Sequence, residues 1–250
     1  NTNNVILKTY DWILANKGQN MRFLDFRMAL QRDKKINDNN NRNIYPLLKN
    51  CGLVNYEKGE ELQVDHFFTK TGLAYVKALQ ARALVKEQDY TEDQIRKAQK
   101  KFDEIIAQII FGALKTIMKK PGVNYIAPFQ DLIKYIIEYK KVTKKEYALL
   151  LYYLQDYDID EALIQMKSNV ESFRAGDLDL KINVEVRNDL DLRERTNEAV
   201  RKEEGLSFLT SFGYFICLLQ QAGLLFKDDN YYCLYKDKEQ NLIELGGNNK

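Results

Sequence analysis

One arrangement occurs twice in this chain and limits its fold more than any other feature. An apolar helical stretch runs into a glycine, and a short strand, a charged turn and a further strand follow. The first copy runs from Ile44 through Leu47, Leu48 and Gly52 to Tyr56, then through Glu57-Lys58-Gly59-Glu60 to Glu61-Leu62-Gln63-Val64. The second runs from Phe215 through Leu218, Leu219 and Gly223 to Phe226, then through Lys227-Asp228-Asp229-Asn230 to Tyr231-Tyr232-Cys233-Leu234-Tyr235. Glycine just past a helix ends it because it takes up the left-handed conformation without a Cβ clash. A hairpin directly after such a stop is the second half of a winged helix. That arrangement offers a helix end and a β-wing to duplex DNA, so two copies predict a reader with two contact surfaces.

Helical periodicity accounts for most of the remainder. Residues 5–19 read as a first helix carrying Ile6, Tyr10, Ile13 and Leu14, broken at Lys17-Gly18-Gln19-Asn20. Arg22 to Arg32 reads as a second. Lys34 to Asn43 holds five asparagines and reads as a polar turn. Thr69-Lys70-Thr71-Gly72 leads into a helix to about Lys86. Thr91-Glu92-Asp93-Gln94 and Thr143-Lys144-Lys145-Glu146 are capping-box patterns, each opening a helix. The first of these helices is long and ends near Lys120-Pro121-Gly122. Between the two, Phe129 to Tyr139 is helical, with Pro128 where a helix start tolerates proline. Asp158 to Phe173 reads as helical, Leu178 to Val186 as a short strand or a loop, and Thr196 to Ala222 as helical, either continuous or broken around Gly205 or Gly213. The expected fold class is therefore mainly α with small β-hairpin wings: two winged-helix-like units joined by a helical middle. The expected boundaries are 1–90 for the first unit, 91–155 for the connector and 156–250 for the second unit with an acidic insertion.

Composition closes off several classes of function. A hydrophobic fraction of 45% argues for a packed protein rather than a disordered one, and only 3 prolines suit a helical body. No apolar run reaches membrane-spanning length, and no signal peptide opens the chain. It starts without Met and both ends are rich in Asn, so it reads as a piece of a longer protein. Cys51, Cys217 and Cys233 are odd in number and widely spaced, which predicts a reducing, cytoplasmic setting. With His66 as the one histidine, a structural zinc site has too few ligands. His66 is expected on the wing or the strand after it.

Net charge is only +2, but it is unevenly distributed. Lys17 to Asn50 holds 8 basic and 3 acidic residues, Ile95 to Lys145 holds 12 and 4, and Asp156 to Glu194 holds 5 and 11. Local positive surplus is expected where phosphates are neutralised. Each lysine cluster is equally readable as a solvated helix face.

Catalytic signatures are scarce. There is no nucleophile elbow, phosphate loop or dinucleotide fingerprint. Asp179-Leu180-Lys181, with Asp158 or Asp160 upstream, imitates the acid and lysine pattern of Mg²⁺-dependent nucleases, a pattern common by chance. No catalytic residue, metal ligand or cofactor is therefore assigned within the chain.

Residues suited to DNA contact are easier to name. Asn41, Arg42 and Asn43 fall in the loop and start of the first apolar helix, and Arg and Asn pair bidentately with guanine and adenine edges. Lys34, Lys35 and Lys49 are placed for phosphate, while Ile44, Leu47 and Leu48 should face the core. In the second copy Arg195, Thr196, Asn197, Arg201 and Lys202 form the equivalent polar approach. These last residues equally suit charge pairing along a helix with Glu194, Glu198, Glu203 and Glu204. Tyr231, Tyr232 and Tyr235 suit packing better than base stacking.

Three stretches carry a family resemblance: Tyr45-Pro46-Leu47-Leu48-Lys49-Asn50-Cys51-Gly52-Leu53-Val54 with Phe67-Phe68-Thr69-Lys70-Thr71-Gly72-Leu73; Ile126-Ala127-Pro128-Phe129 through Val142-Thr143-Lys144-Lys145-Glu146; and Phe212-Gly213-Tyr214 to Tyr235. In this order they resemble the DNA-recognition region of type IIS restriction endonucleases and related site-specific nicking endonucleases, the FokI-like and AlwI-like group. The resemblance implies sequence-specific binding of double-stranded DNA at a short asymmetric site by a monomer. It also implies a cleavage domain using Mg²⁺ elsewhere in the same polypeptide, and no membrane partner. It transfers no catalytic residue. Three other readings stay open. A two-winged-helix repressor or plasmid replication initiator would favour a dimer on a symmetric site. An interaction scaffold would ignore DNA, and a complete nuclease would use Asp179 and Lys181.

Overall fold

A computed structural model of the chain describes residues 2–57, 59–119, 126–180 and 208–246, with residues 38–43, 208 and 210 as backbone only. Among the described residues helices dominate, accompanied by two small antiparallel sheets. The chain divides into two compact units, Asn1–Ile117 and Met118–Lys250.

The first unit runs α1 (Thr2–Ala15), β1 (Asn20–Arg22), α2 (Phe23–Lys34), α3 (Asp38–Asn50), β2 (Glu61–Gln63), α4 (Lys70–Leu84) and α5 (Glu92–Ile117). Its core collects Ile6, Trp12 and Ile13 from α1, Phe26 and Leu30 from α2, and Tyr45 and Leu48 from α3. Phe67 fills the centre, its ring 4.8 Å from Phe26 and 5.3 Å from Tyr45. Thr9 and Tyr45 are both buried and share a hydroxyl–hydroxyl bond of 2.5 Å, which gives each polar group a partner away from water.

The second unit runs α6 (Ile126–Tyr139), β3 (Lys141–Val142), α7 (Lys144–Tyr153), α8 (Ile159–Gln165), α9 (Lys167–Ala175), α10 (Phe208–Gln221), β4 (Leu225–Asp228), β5 (Tyr231–Leu234) and α11 (Glu239–Gly246). Its core includes Phe129 stacked on Phe215 at 4.5 Å, and Leu132, Ile136, Tyr147 and Leu219 are buried as well. The sheet order is β3–β5–β4. β4 and β5 form a hairpin in which Leu225 opposes Leu234 and Asp228 opposes Tyr231. Asp229 makes the tight turn, taking a left-handed φ of 49°.

Both glycine stops close in the same way. Gly52 and Gly223 have φ of 69° and 68°. The N–H of Leu53 donates to the Leu48 carbonyl and that of Gly52 to Lys49. Leu224 donates to Leu219, and Gly223 to Gln220. This paired pattern satisfies carbonyls that a helix end otherwise leaves without donors. The two capping patterns form as well. The Thr91 amide donates to the Gln94 side chain, and Thr143 and Glu146 cap each other reciprocally.

Several expectations require correction. The strand at 61–64 does not pair with residues 53–56. It pairs with β1, with Asn20 opposite Gln63 and Arg22 opposite Glu61, while Val54 bridges Phe68. The cause is burial: Leu62 turns into the core beside Val64, and a 3-10 turn at Val64–His66 brings Phe67 and Phe68 back to be buried too. His66 lies exposed on that turn. Only Lys35 to Asn37 lie outside helices between α2 and α3, so Asn41, Arg42 and Asn43 are inside α3 rather than in a loop. Amphipathic burial of Ile44, Tyr45 and Leu48 outweighs the poor helix propensity of asparagine there. Residues 158–173 form two helices that meet at Met166 rather than one. The two-residue strand β3 is too short to show in the sequence, Leu178 to Leu180 form no strand, and residues 181–186 and 196–207 lie outside the described residues. No helix among the described residues is long and apolar enough to cross a membrane. None of the three cysteines forms a disulfide.

Candidate nucleic-acid interface

The junction of α2 and α3 is held from both sides. Lys35 occupies the left-handed region at φ 52°, and the N–H of Ile36 after it donates to the Leu30 carbonyl. Ile36 is buried and pins the turn to the core. Trp12 Nε1 donates to Asp33 at 2.9 Å, and Arg32 Nε donates to the same carboxylate at 2.6 Å. The Arg32 bond, followed by the Trp12 bond, holds the Asp33 carboxyl at about 2. Arg32 is thereby neutralised at its own helix end. Lys34 is half-buried and Lys35 exposed, and neither has an ion-pair partner among the described residues. These two cations flank the start of α3, whose first turns carry Asn41, Arg42 and Asn43. The side chains of those three lie outside the described residues.

Lys49 is differently placed. Its ammonium sits 2.8 Å from Glu57 and 5.1 Å from the centre of the Tyr56 ring, so its charge is engaged within the unit. Ile44 and Leu48 are buried and Leu47 half-buried, as expected of the core-facing side of α3.

The start of α4 is tied to the glycine stop of α3. Thr69 caps α4 by accepting from the Gly72 amide at 3.0 Å and donates to the Gly52 carbonyl at 2.7 Å. Gly72 lies so close to residue 53 that a Cβ on it would stand 1.8 Å from the Leu53 carbonyl oxygen. The Thr-x-x-Gly pattern thus fixes the turn between α3 and β2 against α4.

The β1–β2 ladder adds residues that sequence pattern alone does not mark. Asn20, Arg22, Glu61 and Gln63 alternate with half-buried Met21 and buried Leu62, and all four are exposed on one face. Three-residue strands are too short for alternation to stand out in a sequence.

In the second unit Arg195, Thr196, Asn197, Arg201 and Lys202 lie outside the described residues, as does Lys181. The cations that are described mostly have internal partners. Lys134 reaches Asp160 at 3.2 Å, Lys140 reaches Glu239 at 2.8 Å and Lys145 reaches Asp179 at 3.0 Å. The Lys141 ammonium stands 4.0 Å from the Tyr231 ring centre. Tyr232 packs edge-on to Phe212 and Tyr235 against Phe226, so these tyrosines serve ring packing.

The nuclease-like acids are not gathered at one point. Asp158 caps α8 through the Glu161 amide, Asp160 faces Lys134 and Asp179 faces Lys145. Among the described residues no three His, Cys, Asp or Glu side chains converge as a metal site would require.

No known protein family, characterised protein or solved structure matches this chain.

Proposed function

We propose that both units are winged helices and that the chain binds duplex DNA sequence-specifically. In this reading it is the recognition module of a type IIS-like restriction or nicking endonuclease whose Mg²⁺-dependent cleavage domain lies outside the chain. One observation carries the DNA-binding part. Among the described residues each unit has the order helix, strand, helix, helix, glycine stop and returning strand, with α8 and α9 as an insertion in the second unit. In each the returning strand pairs with the short strand between the first two helices: β2 with β1, and β5 with β3. In winged helices that pairing sets the third helix and the hairpin tip on one side, the geometry by which such folds meet a groove and its backbone. α3 in the first unit and α10 in the second are then the helices offered to DNA.

Lys34 and Lys35 supply phosphate contacts at the start of α3. Asn41, Arg42 and Asn43 supply base contacts, and Arg195, Thr196, Asn197, Arg201 and Lys202 take the same roles in the second unit. The endonuclease part rests on the sequence resemblance alone. The test is selection of bound DNA from a random duplex pool in Mg²⁺ and moderate salt. One short asymmetric site, recovered uncut, is the expected outcome. A palindromic site would replace this reading with a dimeric repressor or replication initiator, and no enrichment would reject sequence-specific binding.

A further inference from the structure

Arg22 stands where local stability rules disfavour it. It occupies the N-cap position of α2, where Ser, Thr, Asn and Asp are preferred, and it makes no capping hydrogen bond. A cation there meets the positive end of the helix dipole, offset only by Asp25 in the first turn. Its guanidinium is exposed and forms no ion pair among the described residues. Asn20, two residues earlier on the same exposed face, belongs to a residue type depleted in strands. Gln63 lies directly across from Asn20, and Glu61 across from Arg22. Polar side chains kept on a short ladder against its propensities are expected where function rather than folding selects them.

We infer that this exposed face of the β1–β2 ladder, with Arg22 at the end that meets α2, reads base edges in a groove of duplex DNA. The proposal rests on the DNA-binding reading given above. The chemistry of the face matches bases better than backbone. An arginine fork pairs with guanine O6 and N7, Asn and Gln amides pair with adenine N6 and N7, and a Glu carboxylate accepts from cytosine N4. The positive pole of α2 and the Arg22 charge add attraction for an electronegative groove edge. A two-stranded ribbon fits the major groove as a helix does. α2 spans 12 residues, which places the ribbon roughly 18 Å from Lys34 and Lys35 at its other end. That is about half a turn of B-DNA, so the ribbon and the lysines address different stretches of one site.

The experiment is site selection and affinity measurement with the full chain and its Arg22→Ala, Arg22→Lys and Asn20→Ala/Gln63→Ala variants. All these side chains are exposed. Arg22→Ala is expected to lower affinity for the selected site at least about fivefold and to relax preference at one base position, with binding to unrelated DNA little changed. Arg22→Lys keeps the charge but loses the fork, and should relax the same position. The double amide variant should relax a neighbouring position. If wild type selects a site and all three variants select it with equal affinity, the ribbon proposal is overturned and DNA binding stands. If wild type selects nothing, the underlying reading fails.

Discussion

Arg174 and Glu146 form the one ion pair with a fully buried carboxylate among the described residues. Arg174 Nε donates to Glu146 Oε1 at 2.6 Å, and the Glu146 side chain is 0% exposed. The other Glu146 oxygen accepts from the Thr143 amide at 2.6 Å, completing the cap of α7. The two terminal nitrogens of Arg174 donate to the carbonyls of Tyr139 and Lys141. One guanidinium from α9 therefore joins the end of α6, the strand β3 and the start of α7. Removing it leaves a buried carboxylate and two carbonyls without that donor. Arg174→Ala is expected to destabilise the second unit by about 3–5 kcal/mol, read from urea unfolding. Arg174→Lys keeps the charge but not the three-way geometry and should recover only part of the loss.

Gly72 and Gly112 make opposite predictions for the same substitution. A Cβ at Gly72 would meet the Leu53 carbonyl oxygen at 1.8 Å, backbone against backbone, with no flexible side chain to yield. Gly72→Ala should cost about 3 kcal/mol or more and break the contact between α4 and the α3 stop. Gly112 lies exposed within α5, and a Cβ added there would meet nothing within 4 Å. Gly112→Ala should stabilise by about 0.5–1 kcal/mol because alanine is the better helix former. Thermal unfolding of the two variants beside wild type gives the comparison, and equal shifts would contradict it.

The contrast shows what the sequence could and could not reveal. Gly52 and Gly223 were legible because a helix stop is written in local sequence, and the capping boxes at Thr91 and Thr143 were legible for the same reason. The close approach at Gly72 was not, since it depends on residue 53 meeting α4 across the fold. β1 was hidden because three residues give no periodicity, and the pairing of β2 because its partner lies far back in the chain, with Met21 opposite Leu62. Lys49 looked like a phosphate contact by charge alone, and only its distance from Glu57 shows the charge to be engaged. Asn41 to Asn43 looked like loop residues because asparagine favours turns, yet burial of Ile44 and Tyr45 carries the helix back through them.

Asp131 makes the second unit sensitive to pH. Burial pushes its carboxyl up to about 6, with Lys134 opposing the shift and Asp160 adding to it. The folded state therefore holds this proton more tightly than the unfolded chain, whose aspartates titrate near 4. The stability tied to that proton is fully present below about pH 4 and is lost as pH rises through about 6. Asp131→Asn removes the ionisable group. The variant should gain on wild type by roughly 2 kcal/mol between pH 4 and pH 7, after which the difference levels off. Urea midpoints of both proteins across that range decide the matter, and parallel pH profiles would sink the assignment.

Lys34 and Lys35 should contribute to the salt dependence of DNA binding, whereas Lys49 should not. A lysine on a phosphate releases a counterion, and each such contact adds about 0.9 to the slope of log affinity against log salt. Lys34 and Lys35 have no ion-pair partner among the described residues, so their charge is available at the start of α3. Lys49 already faces Glu57 at 2.8 Å, and turning to a phosphate would leave that carboxylate without its partner. The Lys34→Ala/Lys35→Ala variant should therefore lose about 1.8 from the slope, with binding weakened on all sequences alike. Lys49→Ala should leave the slope unchanged and instead lower stability by less than about 1 kcal/mol, as expected for a partly exposed pair. Fluorescence anisotropy titrations across a range of salt concentrations separate the two cases. A lowered slope for Lys49→Ala with an unchanged one for the double variant would move the phosphate-contacting surface from the start of α3 to its far end.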